Sequence, residues 1–255
     1  MILLIDAGNT RVKWALAEAG AAPGAWRAHG AVLHADAAGL ADAWRAALEH
    51  HADKNIARVL AANVAGAALR GQIEQMLAEA GLPAALLEWF ASIPQRAGVR
   101  NAYRNPGQLG CDRFAAAIGA RALAPGRAVI VANCGTATTI DAITADGVFL
   151  GGMILPGLGL MASSLARNTA QLPQIVQGGK LPAGFADNTD DAILSGCLTA
   201  QAGAIEHAYT LHGAAECLIS GGAAPYIAPT LPAQLRHRLV DNIVLIGLQA
   251  AAGSD

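Results

Sequence analysis

Aromatic and charged residues are both scarce in this 255-residue chain, at 4% and 14% of the sequence, and the formal net charge is −2. Neither an overall excess nor a short cluster of basic residues provides the positive surface that binds nucleic acid, so we expect no nucleic-acid partner. Hydrophobic residues reach 54%. The chain is long enough for one large domain or two modest ones, and this composition predicts a globular protein.

Cysteine is rare as well, and its spacing excludes the common cysteine motifs. Cys111, Cys134, Cys197 and Cys217 lie far apart, with no Cys-x-x-Cys pair and no histidine at ligand spacing. We therefore expect buried thiols in a protein of a reducing compartment. The histidines form no His-x-x-x-His motif, so we expect no transition-metal site.

Signals for secretion or membrane insertion are weak. Residues Met1–Ile5 lack a basic start and are followed by Asp6, so we expect no leader peptide and a cytoplasmic protein. The stretch Gly147–Ala166 has no charge over twenty residues, which is the length of a membrane span. Gly151-Gly152 and Pro156-Gly157 interrupt it, so we interpret it as a strand, a loop and a helix start buried in protein. A membrane span is the alternative.

The first turn of the chain has the composition of a phosphate site. An apolar run, Ile2–Ile5, leads into Asp6-Ala7-Gly8-Asn9-Thr10 and then into the alternating segment Arg11–Leu16, which predicts strand, tight turn and strand. The turn offers backbone N–H groups and side-chain donors, flanked by the Asp6 carboxylate and Lys13. These are the groups that a polyphosphate and its magnesium require. An ordinary hairpin is the alternative.

A second turn repeats this layout. A predicted strand at 127–132 leads through Asn133 and Gly135 into another predicted strand, and Gly135 lies 127 positions after Gly8, half the length of the chain. We infer two similar halves, at 1–124 and 125–255, whose turns face one nucleotide cleft.

Hydrophobic periodicity and turn residues outline the order of elements. Three antiparallel strands followed by alternating helix and strand is the ribonuclease-H-like order, so the predicted fold class is α/β with two such domains. The predicted strands lie at 2–5, 11–16, 25–33, 58–64, 86–90, 127–133, 137–144, 147–155 and 217–220, the helices at 36–51, 66–81, 114–123, 158–170 and 189–212, and loops at 92–105 and 171–187.

These features resemble known proteins at two levels. Two hairpin turns that hold one nucleotide between duplicated α/β domains resemble the sugar kinase, Hsp70 and actin superfamily. The motifs Asp6–Lys13, Tyr103–Pro106 leading into Gly110–Arg113, and Gly135–Thr139 resemble type III pantothenate kinase over most of the chain. The resemblance implies ATP-dependent phosphorylation of pantothenate to 4′-phosphopantothenate, the first step of coenzyme A biosynthesis, by a homodimer in the cytoplasm.

Asp112 is the candidate catalytic base. It lies beside Gly110, where a substrate can approach, and next to Arg113. An acid that stabilises a helix start is the alternative, but the resemblance implies that Asp112 accepts the hydroxyl proton. We also infer that Arg113 pairs with the pantothenate carboxylate, because guanidinium and carboxylate fit each other in a bidentate geometry.

The resemblance implies the remaining site residues. Tyr103 could also be a core aromatic residue, and Thr189, which in the family reaches the site across a dimer interface, could be a plain helix cap. The ATP-binding residues are Asp6, Ala7, Gly8, Asn9, Thr10, Arg11, Val12, Lys13 and Thr136, and the pantothenate-binding residues are Tyr103, Gly110, Cys111, Asp112, Arg113 and Thr189.

The implied cofactors are Mg²⁺ with ATP and a monovalent cation, K⁺ or NH₄⁺. At the cation position the family usually has aspartate, whereas this chain has Asn133. A neutral amide can offer its oxygen but no charge, so binding should weaken and the cation requirement stays open.

Two alternatives to pantothenate phosphorylation remain at this level. The first is another kinase or phosphatase of the superfamily, which Tyr103 and Gly110–Arg113 argue against because they belong to the acceptor side. The second is a non-catalytic accessory factor for transcription of virulence genes. Asn133 favours it slightly, whereas retention of Asp6, Lys13 and Asp112 counts against it.

Overall fold

A computed structural model describes residues 1–50, 56–168, 181–182 and 184–254. The chain divides into two compact units. Unit 1 comprises Met1–Pro125, Gly147–Phe149 and Asn242–Asp255, and unit 2 comprises Gly126–Asp146 and Leu150–Asp241. The predicted limits of the two halves stay a prediction. The compact units depart from them mainly at the C terminus, which packs with unit 1.

The elements follow one another in a mixed α/β order, with the following bounds. The strands are β1 Ile2–Ala7, β2 Arg11–Ala17, β3 Trp26–Leu33, β4 Arg58–Asn63, β5 Leu87–Trp89, β6 Gln95–Arg96, β7 Val99–Asn101, β8 Val129–Cys134, β9 Ala137–Ile143, β10 Val148–Pro156, β11 Glu216–Ser220 and β12 His237–Leu239. The helices are α1 Leu40–Glu49, α2 Ala67–Glu79, α3 Cys111–Leu123, α4 Leu158–Asn168, α5 Thr189–His212, α6 Ala224–Ile227 and α7 Ile243–Ala252, with 3₁₀ turns at His34–Gly39, Ala84–Leu86, Pro106–Gln108 and Ala228–Thr230.

Unit 1 contains a five-stranded sheet with the order β3-β2-β1-β4-β5. Strand β1 is antiparallel to β2 and parallel to β4, and all six of its residues are buried, as expected for an apolar central strand. The core beside it includes Ile5, Trp14, Trp44 and Ile73. The predicted three antiparallel strands, followed by alternating helix and strand, are confirmed.

Unit 2 repeats this topology. Its strands run in the order β10-β9-β8-β11-β12, with β8 antiparallel to β9 and parallel to β11. Strand β8 therefore occupies the place of β1, and β9 the place of β2. The same strand order in both units confirms the predicted pair of ribonuclease-H-like domains.

Three local predictions need correction or refinement. The predicted loop at 92–105 contains a short hairpin of strands β6 and β7. These strands have two and three residues, which is too short for a hydrophobic periodicity to appear in the sequence. Helix α1 begins only at Leu40, after a 3₁₀ turn from His34. Helix α3 begins at Cys111 rather than 114, which places Asp112 in its first turn. Most of the predicted loop at 171–187 lies outside the described residues.

Two expectations from composition can be compared with the structure. All four cysteines are free thiols, and three of them are buried, whereas Cys111 is half-buried. Among the described residues, helices that combine the length and the hydropathy needed to cross a bilayer are absent.

Candidate functional site

The first turn joins β1 and β2 in unit 1. Asp6 lies directly opposite Lys13 across the two strands, so their side chains share one face of the hairpin. The turn is closed by a hydrogen bond from the Gly8 N–H to the Arg11 carbonyl, 3.1 Å. Asn9, Thr10 and Arg11 are exposed, whereas Ala7 and Val12 lie in the core. The buried residues thus anchor a turn whose polar groups face solvent.

Asp6 is a buried carboxylate with an unusual proton affinity. Burial raises its pKa from 3.8 to about 6, the nearby Lys13 charge opposes this rise, and the Asp112 charge adds to it. Asp6 is therefore close enough to interact electrostatically with Lys13 and with Asp112. The structure brings together the acid and lysine of the first turn and the candidate base.

The candidate base lies at the start of α3. Gly110 is the N-cap residue, and the Asp112 Oδ1 accepts a hydrogen bond from the Arg113 N–H, 2.8 Å. A Cβ atom on Gly110 would lie only 2.7 Å from that Oδ1, so the carboxylate occupies the space that a side chain at 110 would need. Burial raises the pKa of Asp112, opposed by the Arg113 N–H and guanidinium. Such a carboxylate has more affinity for a proton than an exposed aspartate.

Arg113 is buried at 7% exposure and packs against two aromatic rings. Its Nη1 donates a hydrogen bond to the Tyr103 hydroxyl, 2.8 Å, and its guanidinium carbon lies 5.7 Å from the ring centroids of both Tyr103 and Phe149. These contacts fix the plane of the guanidinium. Tyr103 and Arg113, predicted to share the pantothenate site, are thus direct neighbours.

Asn101 belongs to this cluster and was not predicted. Its buried side chain accepts a hydrogen bond from the Tyr103 N–H, 3.1 Å, and donates one to the Pro106 carbonyl, 3.1 Å. Asn101 therefore shapes the loop that carries Tyr103. Asparagine two residues before the amide that it binds is an Asx-turn signal that could have identified it.

Cys111, the first residue of α3, makes a structural contact as a neutral thiol. Its Sγ donates a hydrogen bond to the Asn63 carbonyl at the end of β4, 3.5 Å, and burial raises the pKa of the thiol to about 11. A neutral thiol at pH 7 is a structural contact rather than a nucleophile.

The second turn lies between β8 and β9 in unit 2. The Gly135 N–H donates to the Ala137 carbonyl, 3.0 Å, and the Gly157 N–H donates to the Thr136 carbonyl, 3.0 Å. A side chain at 157 would collide with the carbonyls of Gly135 and Thr136, so glycine lets the backbone after β10 support the turn. Thr136 is exposed on it.

Asn133 lies beside residues with uncharged oxygen atoms that can coordinate a cation. Its register partners are Thr139 on β9 and Ser220 on β11, and the buried Thr139 hydroxyl has no hydrogen-bond partner within the described ranges. Amide and hydroxyl oxygens are ligands that K⁺ accepts, but they supply no charge. Within those ranges, groups of three or more His, Cys, Asp and Glu side chains arranged for a metal ion are also absent.

Thr189 is the first residue of α5 and is exposed. Asn188 is the cap, because its side chain accepts a hydrogen bond from the Asp191 N–H, 3.0 Å. This leaves the Thr189 hydroxyl outside the capping bond. Thr189 lines a surface cavity of about 930 Å³ with Leu160, Leu165 and other residues of α4 and α5. The expectation that the two turns face one nucleotide cleft stays a prediction.

Solved structures with similar folds define the class of the chain. A protein from Campylobacter jejuni assigned to the Baf family of transcriptional activators superposes with a TM-score of 0.61 at 19% identity, over 97% of this chain and 95% of that one. A glucokinase from an Antarctic psychrotroph superposes with a TM-score of 0.51 at 15% identity, over 99% of both chains. Similarity at this identity shows the fold alone, and the class is that of proteins with two ribonuclease-H-like domains.

Sequence comparison then gives the family. A family model described as type III pantothenate kinase matches residues 2–210. A protein of that name from Herminiimonas arsenicoxydans is 54% identical over 261 residues, which cover 99% of this chain and 97% of the relative. The chain belongs to the type III pantothenate kinase family.

Proposed function

We propose that this chain transfers the γ-phosphoryl group of ATP to the terminal hydroxyl of pantothenate and forms 4′-phosphopantothenate, the first step of coenzyme A biosynthesis. The observation that carries the proposal is the group of charged residues in unit 1. There the charge of Asp112, whose own pKa is raised by burial, acts on the buried carboxylate of Asp6, which also interacts with Lys13 of the first turn, in a chain that belongs to this kinase family.

The first turn is suited to bind ATP. Lys13 and the exposed polar groups of Asn9, Thr10 and Arg11 would hold the phosphates, and Thr136 would add a contact from the second turn. The buried carboxylate of Asp6 fits Mg²⁺, a hard cation that prefers carboxylate oxygens. When bound with ATP, Mg²⁺ supplies positive charge to the phosphate oxygens.

Asp112 and Arg113 define the acceptor side. In the reaction the pantothenate hydroxyl oxygen forms a bond to the γ-phosphorus, the bond between that phosphorus and the β,γ-bridging oxygen breaks, and the hydroxyl proton passes to the Asp112 carboxylate. The planar guanidinium of Arg113, which donates a hydrogen bond to Tyr103 in the structure, has the shape and charge that pair with the pantothenate carboxylate. Gly110 and Cys111 complete this side.

Three further features belong to the proposal. We expect a homodimer in which Thr189 reaches the partner's pantothenate site, and the exposed apolar residues Leu160 and Leu165 beside Thr189 support a covered surface there. We expect K⁺ or NH₄⁺ to bind weakly at the neutral donors around Asn133. We place the reaction in the cytoplasm, in keeping with four free thiols.

Replacement of Asp112 by asparagine tests the function. Asp112→Asn keeps the size and the hydrogen bond to the Arg113 N–H but removes the base, so kcat should fall about a hundredfold or more while the melting temperature changes little. The measurement is pantothenate-dependent ADP release, with and without K⁺ or NH₄⁺.

Asp42→Asn is the matched control, because Asp42 is an exposed acid in the first turn of α1. It should keep wild-type kcat. Absence of pantothenate-dependent ADP release by the wild type in every salt would remove the proposed reaction and favour the accessory-factor alternative. Equal kcat values for Asp112→Asn and wild type would remove Asp112 as the base.

A further inference from the structure

His34, which the sequence patterns did not single out, holds the first turn from outside. Its Nε2 lies 2.8 Å from the Gly8 carbonyl oxygen, and its backbone N–H donates to the Thr10 carbonyl, 3.3 Å. One residue therefore binds the carbonyls on both sides of Asn9. His34 follows β3, which pairs with β2, so the sheet itself delivers it to the turn.

The ring contact determines the direction of a turn amide. A carbonyl oxygen only accepts hydrogen bonds, so the Nε2 of His34 must carry a hydrogen and donate it to Gly8. In a planar trans peptide the C=O and the following N–H point in opposite directions. Because the Gly8 carbonyl points to the His34 ring, the N–H of Asn9 points away from it.

This orientation matters for an anion. If the Gly8–Asn9 peptide turned over, it would present a carbonyl oxygen, which repels phosphate, in place of an N–H that binds it. Glycine at position 8 makes such a rotation easy, because it lacks the Cβ that restricts other residues. A contact outside the turn is therefore needed to hold one orientation.

We propose that His34 is a positioning residue for nucleotide binding: its ring N–H fixes the Gly8 carbonyl and thereby presents the Asn9 N–H to the phosphates of ATP. The inference rests on the proposed function only in taking ATP as the ligand. His34 touches no reacting atom, and its effect should appear in the affinity for ATP rather than for pantothenate.

Two variants test whether the hydrogen-bond donor of His34 or only the volume of its ring is needed. In His34→Gln the side-chain amide nitrogen reaches about as far from the backbone as Nε2 and can donate to Gly8, whereas His34→Leu fills a similar volume and cannot donate. Both keep the backbone bond to Thr10. His29→Leu is the matched control, because His29 is an exposed histidine of β3 that pairs opposite Ala15, away from the turn.

The measurements are the Kd of the magnesium complex of AMP-PNP by calorimetry, the KM values of both substrates and the melting temperature. For His34→Leu we expect the Kd of the nucleotide and the KM for ATP to rise about tenfold. This is the loss expected when one charge-assisted hydrogen bond, from the Asn9 N–H to a phosphate oxygen, is weakened. The KM for pantothenate should stay within about twofold of wild type. His34→Gln should recover most of the affinity, and His29→Leu should match wild type.

The proposal is overturned if His34→Leu binds the nucleotide as wild type does, if His34→Gln is as weak as His34→Leu, or if both KM values rise together with a lower melting temperature. The last result would mark a purely structural residue. If the wild type releases no ADP with pantothenate while the binding series follows the expected order, the proposed reaction fails and the role of His34 stands.

Discussion

Asp6 places a carboxylate in the protein interior, where its charge lowers the stability of the folded state. The strand that carries it is buried throughout, and burial raises the pKa of Asp6 from 3.8 to about 6. The folded protein therefore binds a proton on Asp6 more tightly than the unfolded chain does. Between pH 4 and 6 the contribution of Asp6 to the free energy of unfolding falls as the pH rises, and above pH 6 the folded state carries the full cost of this buried charge.

Replacement of Asp6 by asparagine should stabilise the ligand-free protein at neutral pH. Asp6→Asn removes the charge but keeps the shape, so the free energy of unfolding at pH 8 should exceed that of wild type by about 1–3 kcal/mol. The difference should shrink as the pH is lowered toward 4. Urea unfolding at pH 8, 6 and 4.5 measures both effects, and phosphoryl transfer should be lost.

The exposed Asp36 provides the control for this pH series. Asp36→Asn should differ from wild type by less than about 0.5 kcal/mol at every pH. A lower stability of Asp6→Asn at pH 8 would show that the charge of Asp6 stabilises the fold, contrary to this account.

At the scale of elements, the first turn of α3 positions Asp112, the proposed catalytic base. The helix begins at Cys111, its N-cap is Gly110, and the Asp112 carboxylate folds back over that glycine. The helix start places the acid, and the absence of a side chain at 110 leaves the room that the acid occupies.

Gly110→Ala should therefore reduce activity more than stability. The new Cβ would lie 2.7 Å from the Asp112 Oδ1, and the carboxylate can rotate away at small cost to folding. A displaced base should lower kcat about tenfold to a hundredfold, with a change in the free energy of unfolding of about 1 kcal/mol or less. Steady-state kinetics and urea unfolding separate the two quantities.

Gly39 is the matched glycine for this experiment. It is the N-cap of α1, its φ is −78°, and a Cβ built on it meets nothing within 4 Å. Gly39→Ala should keep wild-type kcat. If Gly110→Ala also keeps wild-type kcat, the close approach of Asp112 to position 110 has no part in catalysis.

At the scale of the whole molecule, the two ends of the chain meet in unit 1. Helix α7 packs there, and the side chain of Gln249 accepts hydrogen bonds from the Gly24 N–H and the Trp26 Nε1, 2.9 and 3.1 Å. The same side chain donates to the carbonyls of Ala21 and Ala22, 3.2 and 3.1 Å. One buried amide thus joins the last helix to the β2–β3 connection.

Gln249→Leu should destabilise unit 1 by about 2–4 kcal/mol, because it leaves several donors and acceptors without their partner. The midpoint of urea unfolding measures the loss. Gln75→Leu is the control, since Gln75 is exposed on α2 and donates a local hydrogen bond to Glu79, four residues along the same helix. An unchanged midpoint for Gln249→Leu would show that the connection is not held through this side chain.

Much of the molecule was determined by local sequence pattern. The apolar run of β1, the alternation in β2, and the two glycine turns 127 positions apart predicted a duplicated sheet, and the five strands β10-β9-β8-β11-β12 follow the same order as β3-β2-β1-β4-β5. The family motifs, including the one that contains Asp112, are also short local stretches of sequence, and the roles of their residues stay predictions. Patterns of this kind depend on neighbours along the chain, which the sequence displays directly.

Other features were decided only by the tertiary structure. The bonds of His34 to Gly8 and of Gln249 to the β2–β3 connection join residues far apart in sequence, and nothing in the local pattern marks either side chain as a partner. The β6–β7 hairpin is too short to show a period. The pKa of Asp6 depends on which atoms bury it and on the charges of Lys13 and Asp112. These properties arise from distances in space, so they exist only once the chain has folded.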